Sequence, residues 1–102
     1  MRKVILSKRA SNKLDKLLKY IELEWSVKVQ QDFIRKLDKS LIHIQKFPQS
    51  CIQTDFVKGL HMLVVTKQTS VFYRFNEKTI TIVTIFDNRM DSDKLKSETK
   101  SQ

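Results

Sequence analysis

The chain has 102 residues, with 20 Lys and Arg against 11 Asp and Glu, which gives a formal charge of +9. This length suits one domain, and a 40% hydrophobic content is enough for a core, so whole-chain disorder is excluded. No apolar run approaches the ~18 residues that span a bilayer, and residues 1–9 are too polar for a signal peptide. We therefore expect a cytoplasmic protein. Its single cysteine, Cys51, excludes an internal disulfide.

Most of the positive charge lies in the first half of the chain. Residues 1–50 carry 12 basic and 5 acidic side chains, whereas residues 51–102 carry 8 and 6. A solvated helix face that keeps the protein soluble would explain this excess. A surface for nucleic acid or for an acidic partner protein would explain it equally well.

The first half predicts a short strand at residues 3–6 and then two helices. In the first helix, which Ser7 can cap, apolar residues recur at spacings of three and four. A second stripe follows Ser26, another N-cap residue, and Pro48 ends it. The two stripes are Ala10, Leu14, Leu17, Leu18 and Ile21, and Val29, Phe33, Leu37, Leu41 and Ile44. Only residues 24–26 separate the helices, which predicts an antiparallel helical hairpin.

The second half predicts three strands, at residues 60–66, 70–75 and 79–86, after a turn at the only glycine, Gly59. The last strand becomes apolar on both faces, so we expect it to be central and to pair with the strand at residues 3–6.

The predicted class is α+β with the order β-α-α-β-β-β. The hairpin would pack on one face of a small, twisted, mainly antiparallel sheet. We expect one domain over residues 1–95, with a helical turn at 91–95, and a flexible tail over 96–102.

No metal or cofactor site is indicated. His43 and His61 lie on different elements without acidic residues at ligand spacing, and one glycine excludes a phosphate-binding loop. We expect no metal, cofactor, small-molecule ligand or membrane association. His43 fits a helix surface, and Cys51 fits a small, half-buried apolar position.

Polar side chains on the strands remain as functional candidates. Alternation along the strand places Arg74 on one face and Tyr73 on the other, so helices that cover Tyr73 leave Arg74 exposed. A cluster of such cations could bind a phosphate backbone. It could also cleave RNA without metal, if a general base removes the 2′-hydroxyl proton. The alternative is that these are ordinary solvent-facing residues with no functional role. The candidates are Lys58, His61, Lys67, Tyr73, Arg74, Asp87 and Arg89.

Four segments, in this order and spacing, resemble the RelE/ParE superfamily of bacterial type II toxins. They are Val-Ile-Leu-Ser at residues 4–7, the glycine-marked step at 56–65, the "YR" strand at 71–75, and Asp-Asn-Arg-Met-Asp within 85–91. The resemblance covers roughly residues 2–95. It implies a small basic toxin that arrests growth and is neutralised by a cognate antitoxin.

Two activities occur in this superfamily. RelE-like members cut mRNA in the ribosomal A site with basic residues and a late tyrosine or histidine, whereas ParE-like members poison DNA gyrase and lack that set. Lys58 and Arg89 match family positions, but Ser70 or Val71 stands where nucleases often carry arginine, and neither histidine nor tyrosine follows Arg89. The resemblance therefore favours gyrase. The alternatives are a ribosome-dependent mRNA endonuclease, a non-catalytic nucleic-acid-binding module and an inert, degenerate toxin.

The resemblance, together with strand alternation and the distribution of charge, assigns residues to roles. A nuclease would use Lys58, His61, Arg74 and Arg89 for catalysis. Contact with the target or with nucleic acid would involve Lys67, Arg74, Asp87 and Arg89. An acidic, partly disordered antitoxin would dock on the basic helical hairpin through Lys13, Lys16, Lys19, Arg35 and Lys39.

Overall fold

The computed structural model describes residues 1–55 and 57–90. Its elements are β1 (Lys3–Leu6), α1 (Lys8–Glu24), α2 (Val27–Lys46), a 3₁₀ turn (Pro48–Ser50), β2 (His61–Val64), β3 (Thr69–Phe75) and β4 (Thr79–Asp87). The predicted element order and α+β class are confirmed. The predicted helical turn at 91–95 and the tail at 96–102 lie outside the described residues.

Both helices begin at the predicted caps. The Ser7 hydroxyl accepts a hydrogen bond from the Ala10 amide at 3.0 Å, and the Ser26 hydroxyl accepts one from Val29 at 3.1 Å. These bonds satisfy amides that have no partner within their own helix. The link is two residues long, one fewer than predicted, because α1 includes Glu24. The helices bury the predicted stripes through Ala10, Leu17, Ile21, Phe33, Leu37 and Ile44.

The sheet has the strand order β1-β4-β3-β2, with β1 parallel to β4 and the other pairs antiparallel. The long apolar strand β4 is therefore central and neighbours β1, as predicted. Strand β2 is shorter than the predicted run because the chain turns after Val64, where the Val65 amide bonds the Thr69 carbonyl at 3.0 Å.

A β-bulge changes which side chains of β4 face the helices. Phe72 pairs with Thr84 but Tyr73 pairs with Ile82, so Val83 has no partner on β3. One extra residue in a strand reverses the alternation beyond it. Both Ile82 and Ile85 are consequently buried although they lie three residues apart.

The hairpin covers one face of the sheet, and the other face is only partly covered. Tyr73 is completely buried beneath the helices, whereas Arg74, the next residue, is exposed. Both positions are as predicted. On the outer face, Met62 pairs with Phe72 across β2 and β3, and Val64 is 58% exposed. The outer face therefore carries apolar side chains as well as Arg74.

The entry into β2 is held by a short extended segment. The Thr54 amide bonds the Leu60 carbonyl at 2.7 Å, and the Met62 amide bonds the Ile52 carbonyl at 3.0 Å. Gly59 has a φ of +80°, which a side chain would strain, so the predicted glycine turn is confirmed. This turn places Lys58 and His61 at one end of the sheet.

Candidate functional site

His61 lies on the helix-covered face of the sheet. It pairs with Tyr73 across β2 and β3, and the two rings stack with centroids 5.4 Å apart. Its Nδ1 lies 2.8 Å from the Cys51 carbonyl oxygen. Because a carbonyl only accepts hydrogen bonds, Nδ1 carries the proton. One of the two ring nitrogens of His61 is therefore already used to hold the loop before β2.

Tyr73 is a buried structural tyrosine. Its hydroxyl donates a hydrogen bond of 2.6 Å to the Pro48 carbonyl. Burial raises the pKa of Tyr73 well above its ordinary value, and its contact with Cys51 adds to the rise. The phenol therefore stays protonated at neutral pH and cannot act as a general base.

Arg74 does not converge on His61. Lys58 is exposed in the turn before β2. Arg74 follows Tyr73 on β3, and successive residues of a strand point to opposite faces. Arg74 therefore emerges on the outer face, whereas His61 stacks on Tyr73 on the opposite face.

Asp87 and Arg89 form a paired, partly buried group at the other end of the sheet. Arg89 donates through Nε to Asp87 Oδ1 at 3.0 Å and through Nη2 to Oδ2 at 2.8 Å. The Arg89 amide bonds Oδ1 at 2.9 Å, and the Thr69 hydroxyl donates to Oδ2. Asp87 is only 1% exposed. Such bidentate pairing fixes the guanidinium in one orientation.

The two charges stabilise each other. Burial by itself would raise the pKa of Asp87, but hydrogen bonds from Arg89 and Thr69 outweigh it and lower the pKa below its ordinary value. The hydrogen bonds that Arg89 donates to Asp87 in turn raise the pKa of Arg89, against the opposing effect of burial. Both groups are therefore charged at every physiological pH.

This pair predicts a loss of stability in acid. The folded pKa of Asp87 lies below 3.8, its ordinary value, so the unfolded chain takes up the proton first as pH falls. The stabilisation is complete at neutral pH and is lost progressively below about pH 4. We expect the free energy of unfolding, measured by urea denaturation from neutral pH down to about pH 2.5, to fall less steeply for Asp87→Asn than for wild type. Equal slopes would show that another group titrates.

Trp25, in the link between the helices, lies against this pair. The Arg89 guanidinium carbon sits 5.2 Å from the centre of the Trp25 ring, and Tyr20 packs edge-on against that ring at 5.7 Å. The sequence reasoning assigned Trp25 no role. Its place in the sequence could have indicated a role, because Trp25 is the only tryptophan and lies between two helices, outside either apolar stripe.

Lys67 lies in the turn at the same end of the molecule. The Asn88 amide bonds the Gln68 carbonyl at 2.9 Å, which ties the end of β4 to the β2–β3 turn. Of the four predicted target contacts, Lys67, Asp87 and Arg89 are therefore brought to one end, and Arg74 is not.

The four predicted catalytic residues are divided along β3. Asp87 pairs with Thr69, whereas His61 pairs with Tyr73. Tyr73 lies four residue steps after Thr69 along the strand, which is about 13 Å. Arg89 therefore lies at one end of the sheet, and Lys58, His61 and Arg74 lie towards the other.

The predicted antitoxin-docking residues are spread over both helices. Lys16, Lys19 and Lys39 are exposed, whereas Lys13 is half-buried and interacts with a neighbour. Arg35 is 70% exposed and forms an ion pair with Asp32 one turn before it. Exposed pairs of this kind contribute little to stability and are readily exchanged for a partner's charges.

Within residues 1–55 and 57–90, no group of three or more His, Cys, Asp and Glu side chains is arranged to hold a metal ion. In the same part of the chain, no helix is long and apolar enough to cross a membrane.

Solved structures share this fold. The chain matches a structure titled as the chromosomal ParDE TA system from P. aeruginosa with a TM-score of 0.70 and 17% identity, over 85% of this chain and 96% of the other. The structure of the YoeB dimer from Staphylococcus aureus matches with a TM-score of 0.59 and 12% identity, over 83% of this chain and 94% of the other. The E. coli DinJ–YafQ complex matches with a TM-score of 0.54 and 13% identity, over 87% of this chain and 96% of the other. At these identities the likeness shows the fold alone.

Family membership comes from the sequence. Among curated proteins no match is found. The family model described as the ParE toxin of type II toxin-antitoxin system, parDE, matches residues 4–92. This match covers almost the whole predicted domain and confirms the RelE/ParE resemblance. The chain therefore belongs to the ParE toxin family and is a toxin of a type II toxin–antitoxin system.

Proposed function

We propose that this toxin arrests growth by binding DNA gyrase and that it does not cut mRNA. The observation that carries the proposal is the division of the candidate catalytic groups between the two ends of β3. The ParE family match supports it, because gyrase is the target implied by a ParE-like resemblance.

Metal-free RNA cleavage needs a base and a cation at one phosphate. The base must lie within about 3 Å of the proton that it removes, and the cation must contact the developing charge. Here Asp87, the partner of Arg89, pairs with Thr69 about 13 Å along β3 from the level of His61. Arg74 lies on the opposite face, and the Tyr73 hydroxyl is held by Pro48. These positions favour binding over catalysis.

The ribosome-dependent mRNA endonuclease is the second candidate function. It would depend on His61, whose second ring nitrogen forms no hydrogen bond with the described residues, and on Lys58, three residues earlier in the turn before β2. Non-catalytic binding to nucleic acid is a third candidate and rests on the charge of +9 alone.

A cognate antitoxin completes the proposal. Structures that share the fold include one described as a ParDE TA system and one described as the E. coli DinJ–YafQ toxin–antitoxin complex. The exposed lysines of the hairpin suit an acidic chain, since charge complementarity speeds association and sets specificity. Co-expression with the neighbouring reading frame is therefore expected to yield a complex that co-purifies.

Induction in cells, with separate labelling of DNA, RNA and protein synthesis, tests the target. We expect DNA synthesis to fall first, with filamentation, and His61→Gln to arrest growth as wild type does. Early loss of protein synthesis with cleaved mRNA, abolished by His61→Gln, would establish the endonuclease in place of gyrase binding.

Arg89→Ala tests the target-contact surface in the same cells. Because arginines at the centre of an interface often dominate its energy, we expect roughly tenfold or more toxin to be needed for the same arrest. Lys78→Ala, at the far end of the sheet, serves as the control. Both variants are compared at a temperature where each is folded by circular dichroism. Full toxicity of folded Arg89→Ala would remove Arg89 from the target contacts.

A further inference from the structure

The end of the molecule where α1 meets α2 carries a patch of exposed apolar side chains. Leu23 is 83% exposed, Trp25 is 51% exposed and Val27 is 50% exposed. We call these three residues the hairpin-tip patch. Exposed apolar residues are common singly, but a contiguous group that includes tryptophan is typical of a protein-binding surface.

A cavity of about 230 Å³ adjoins this patch at Trp25, because Arg89 lines the cavity and also lies over the Trp25 ring. Its apolar lining includes Ile21 and Phe33, which are buried, and Val29, which is 37% exposed. Its polar lining consists of Asp32, Lys36, Thr66, Gln68 and Arg89. The volume suits one large side chain of a partner rather than a drug-sized ligand, which needs at least about 300 Å³.

The charges around the cavity leave one cation unmatched. Asp32 is paired with Arg35, and Asp87 is paired with Arg89. Lys36 is exposed, and it forms no ion pair with any residue in the described ranges 1–55 and 57–90. A ligand that brings a carboxylate to this rim would complete the charge balance.

We infer that the hairpin-tip patch and the adjoining cavity dock a segment of the cognate antitoxin. This segment inserts an apolar side chain between Ile21 and Phe33 and sets a carboxylate against Lys36. The inference rests on the proposed function, which supplies the antitoxin as partner. It extends the predicted docking surface from Arg35 and Lys39, which neighbour Lys36 on α2, to the hairpin tip.

The surface fits a polypeptide better than a nucleic acid. Leu23 and Val27 offer nothing to a phosphate or to a base edge. One face of the Trp25 ring is already covered by the Arg89 guanidinium, which restricts base stacking. Tryptophan and arginine at the centre of a patch are instead the residues that dominate protein interfaces.

Docking here also gives a direct route to neutralisation. Arg89 lines the cavity and is one of the proposed contacts with the target. A segment seated between the helices and the β2–β3 turn would cover Arg89 and the Trp25 ring together. The antitoxin would therefore exclude the target by occupying the same end of the molecule.

The test measures the affinity of the purified toxin for the antitoxin encoded beside it, with two variants and two matched controls. Lys36→Glu reverses the unmatched charge, and Trp25→Ala removes the aromatic centre of the patch. Lys78→Glu makes the same charge change at the far end of the sheet, and Ile52→Ala removes a side chain that is 72% exposed elsewhere. All four positions are exposed, so each variant is expected to fold, which a thermal melt checks.

We expect Lys36→Glu to raise Kd about tenfold, with a smaller effect at high salt, and Trp25→Ala to raise it about 30-fold. The controls should stay within threefold of wild type. Trp25 is the only tryptophan, so its fluorescence should shift to the blue when the antitoxin binds.

Each other outcome counts against a stated part of the inference. A complex that forms normally with all four variants would overturn the docking site and leave the antitoxin partnership intact. Failure of wild type to form any complex would overturn the partnership and the docking site together. Weakened binding of a labelled RNA or DNA oligonucleotide by Lys36→Glu and Trp25→Ala, with antitoxin affinity unchanged, would assign the surface to nucleic acid.

Discussion

Replacing Asp87 by alanine is expected to lower the free energy of unfolding by about 3 kcal/mol at neutral pH. The change leaves the Arg89 guanidinium, whose side chain is 20% exposed, without its bidentate partner. It also removes the acceptor of the buried Thr69 hydroxyl. Unpaired polar groups at such positions cost far more than the modest net gain of an exposed ion pair. Urea denaturation with a two-state fit measures the loss.

Two further variants decide whether the pair is the cause. Asp38→Ala removes an exposed carboxylate on α2 and should change stability by less than about 0.5 kcal/mol. The double variant Asp87→Ala/Arg89→Ala removes both charges, so it should be less destabilised than the sum of the single variants. Additive losses, or a loss below about 1 kcal/mol for Asp87→Ala, would show that the pair does not support this end of the fold.

The same pair connects stability to the proposed interactions. Asp87 holds the Arg89 guanidinium, and the guanidinium lies over Trp25 in the link between the helices. The buried carboxylate of Asp87 therefore holds in place the side chains that are proposed to contact the target and the antitoxin. Toxicity assays of Asp87 variants consequently report folding as well as contact.

The helices and strands could be predicted from the sequence because the patterns that indicate them are local. Ser7 and Ser26 cap the helices through bonds that span three residues. Burial of Tyr73 and exposure of Arg74 follow from alternation within one strand. The central place of β4 follows from its apolar character on both faces. Each of these inferences needs only a few neighbouring residues.

The arrangement of the candidate site could not be predicted from the simple alternation of side chains along a strand. The bulge at Val83 reverses the alternation, so that Asp87 faces the helices together with Ile85. Without it, Asp87 would point to the outer face and could not bond Thr69 beneath the helices. In the sequence, the spacing of these isoleucines indicates the bulge: it is two residues from Ile80 to Ile82 but three residues from Ile82 to Ile85.

The position of His61 depended on strand register. A slip of one residue between β2 and β3 would have placed His61 opposite Arg74, on the outer face. The observed register pairs it with Tyr73 instead. Likewise, contact between Arg89 and Trp25 joins positions 64 residues apart, which no local pattern predicts.

Tyr73 variants are expected to separate packing from hydrogen bonding in the core. Tyr73→Ala should lower the free energy of unfolding by about 4 kcal/mol, because it opens a cavity where a completely buried ring packs beneath the helices. Tyr73→Phe should cost only about 1–2 kcal/mol, since it keeps the ring and removes the donor to the Pro48 carbonyl. Thermal and urea unfolding measure both losses, and Tyr20→Phe, at a half-buried tyrosine on α1, is the control with little expected change.

Tyr73→Phe also tests whether this tyrosine takes part in chemistry. Its hydroxyl is buried, donates to Pro48 and has a raised pKa, so it neither reaches a substrate nor accepts a proton. Growth arrest by folded Tyr73→Phe should therefore equal that of wild type. A folded variant that lost arrest, together with a loss of mRNA cleavage, would contradict both the structural role of Tyr73 and the proposal that this toxin acts by binding.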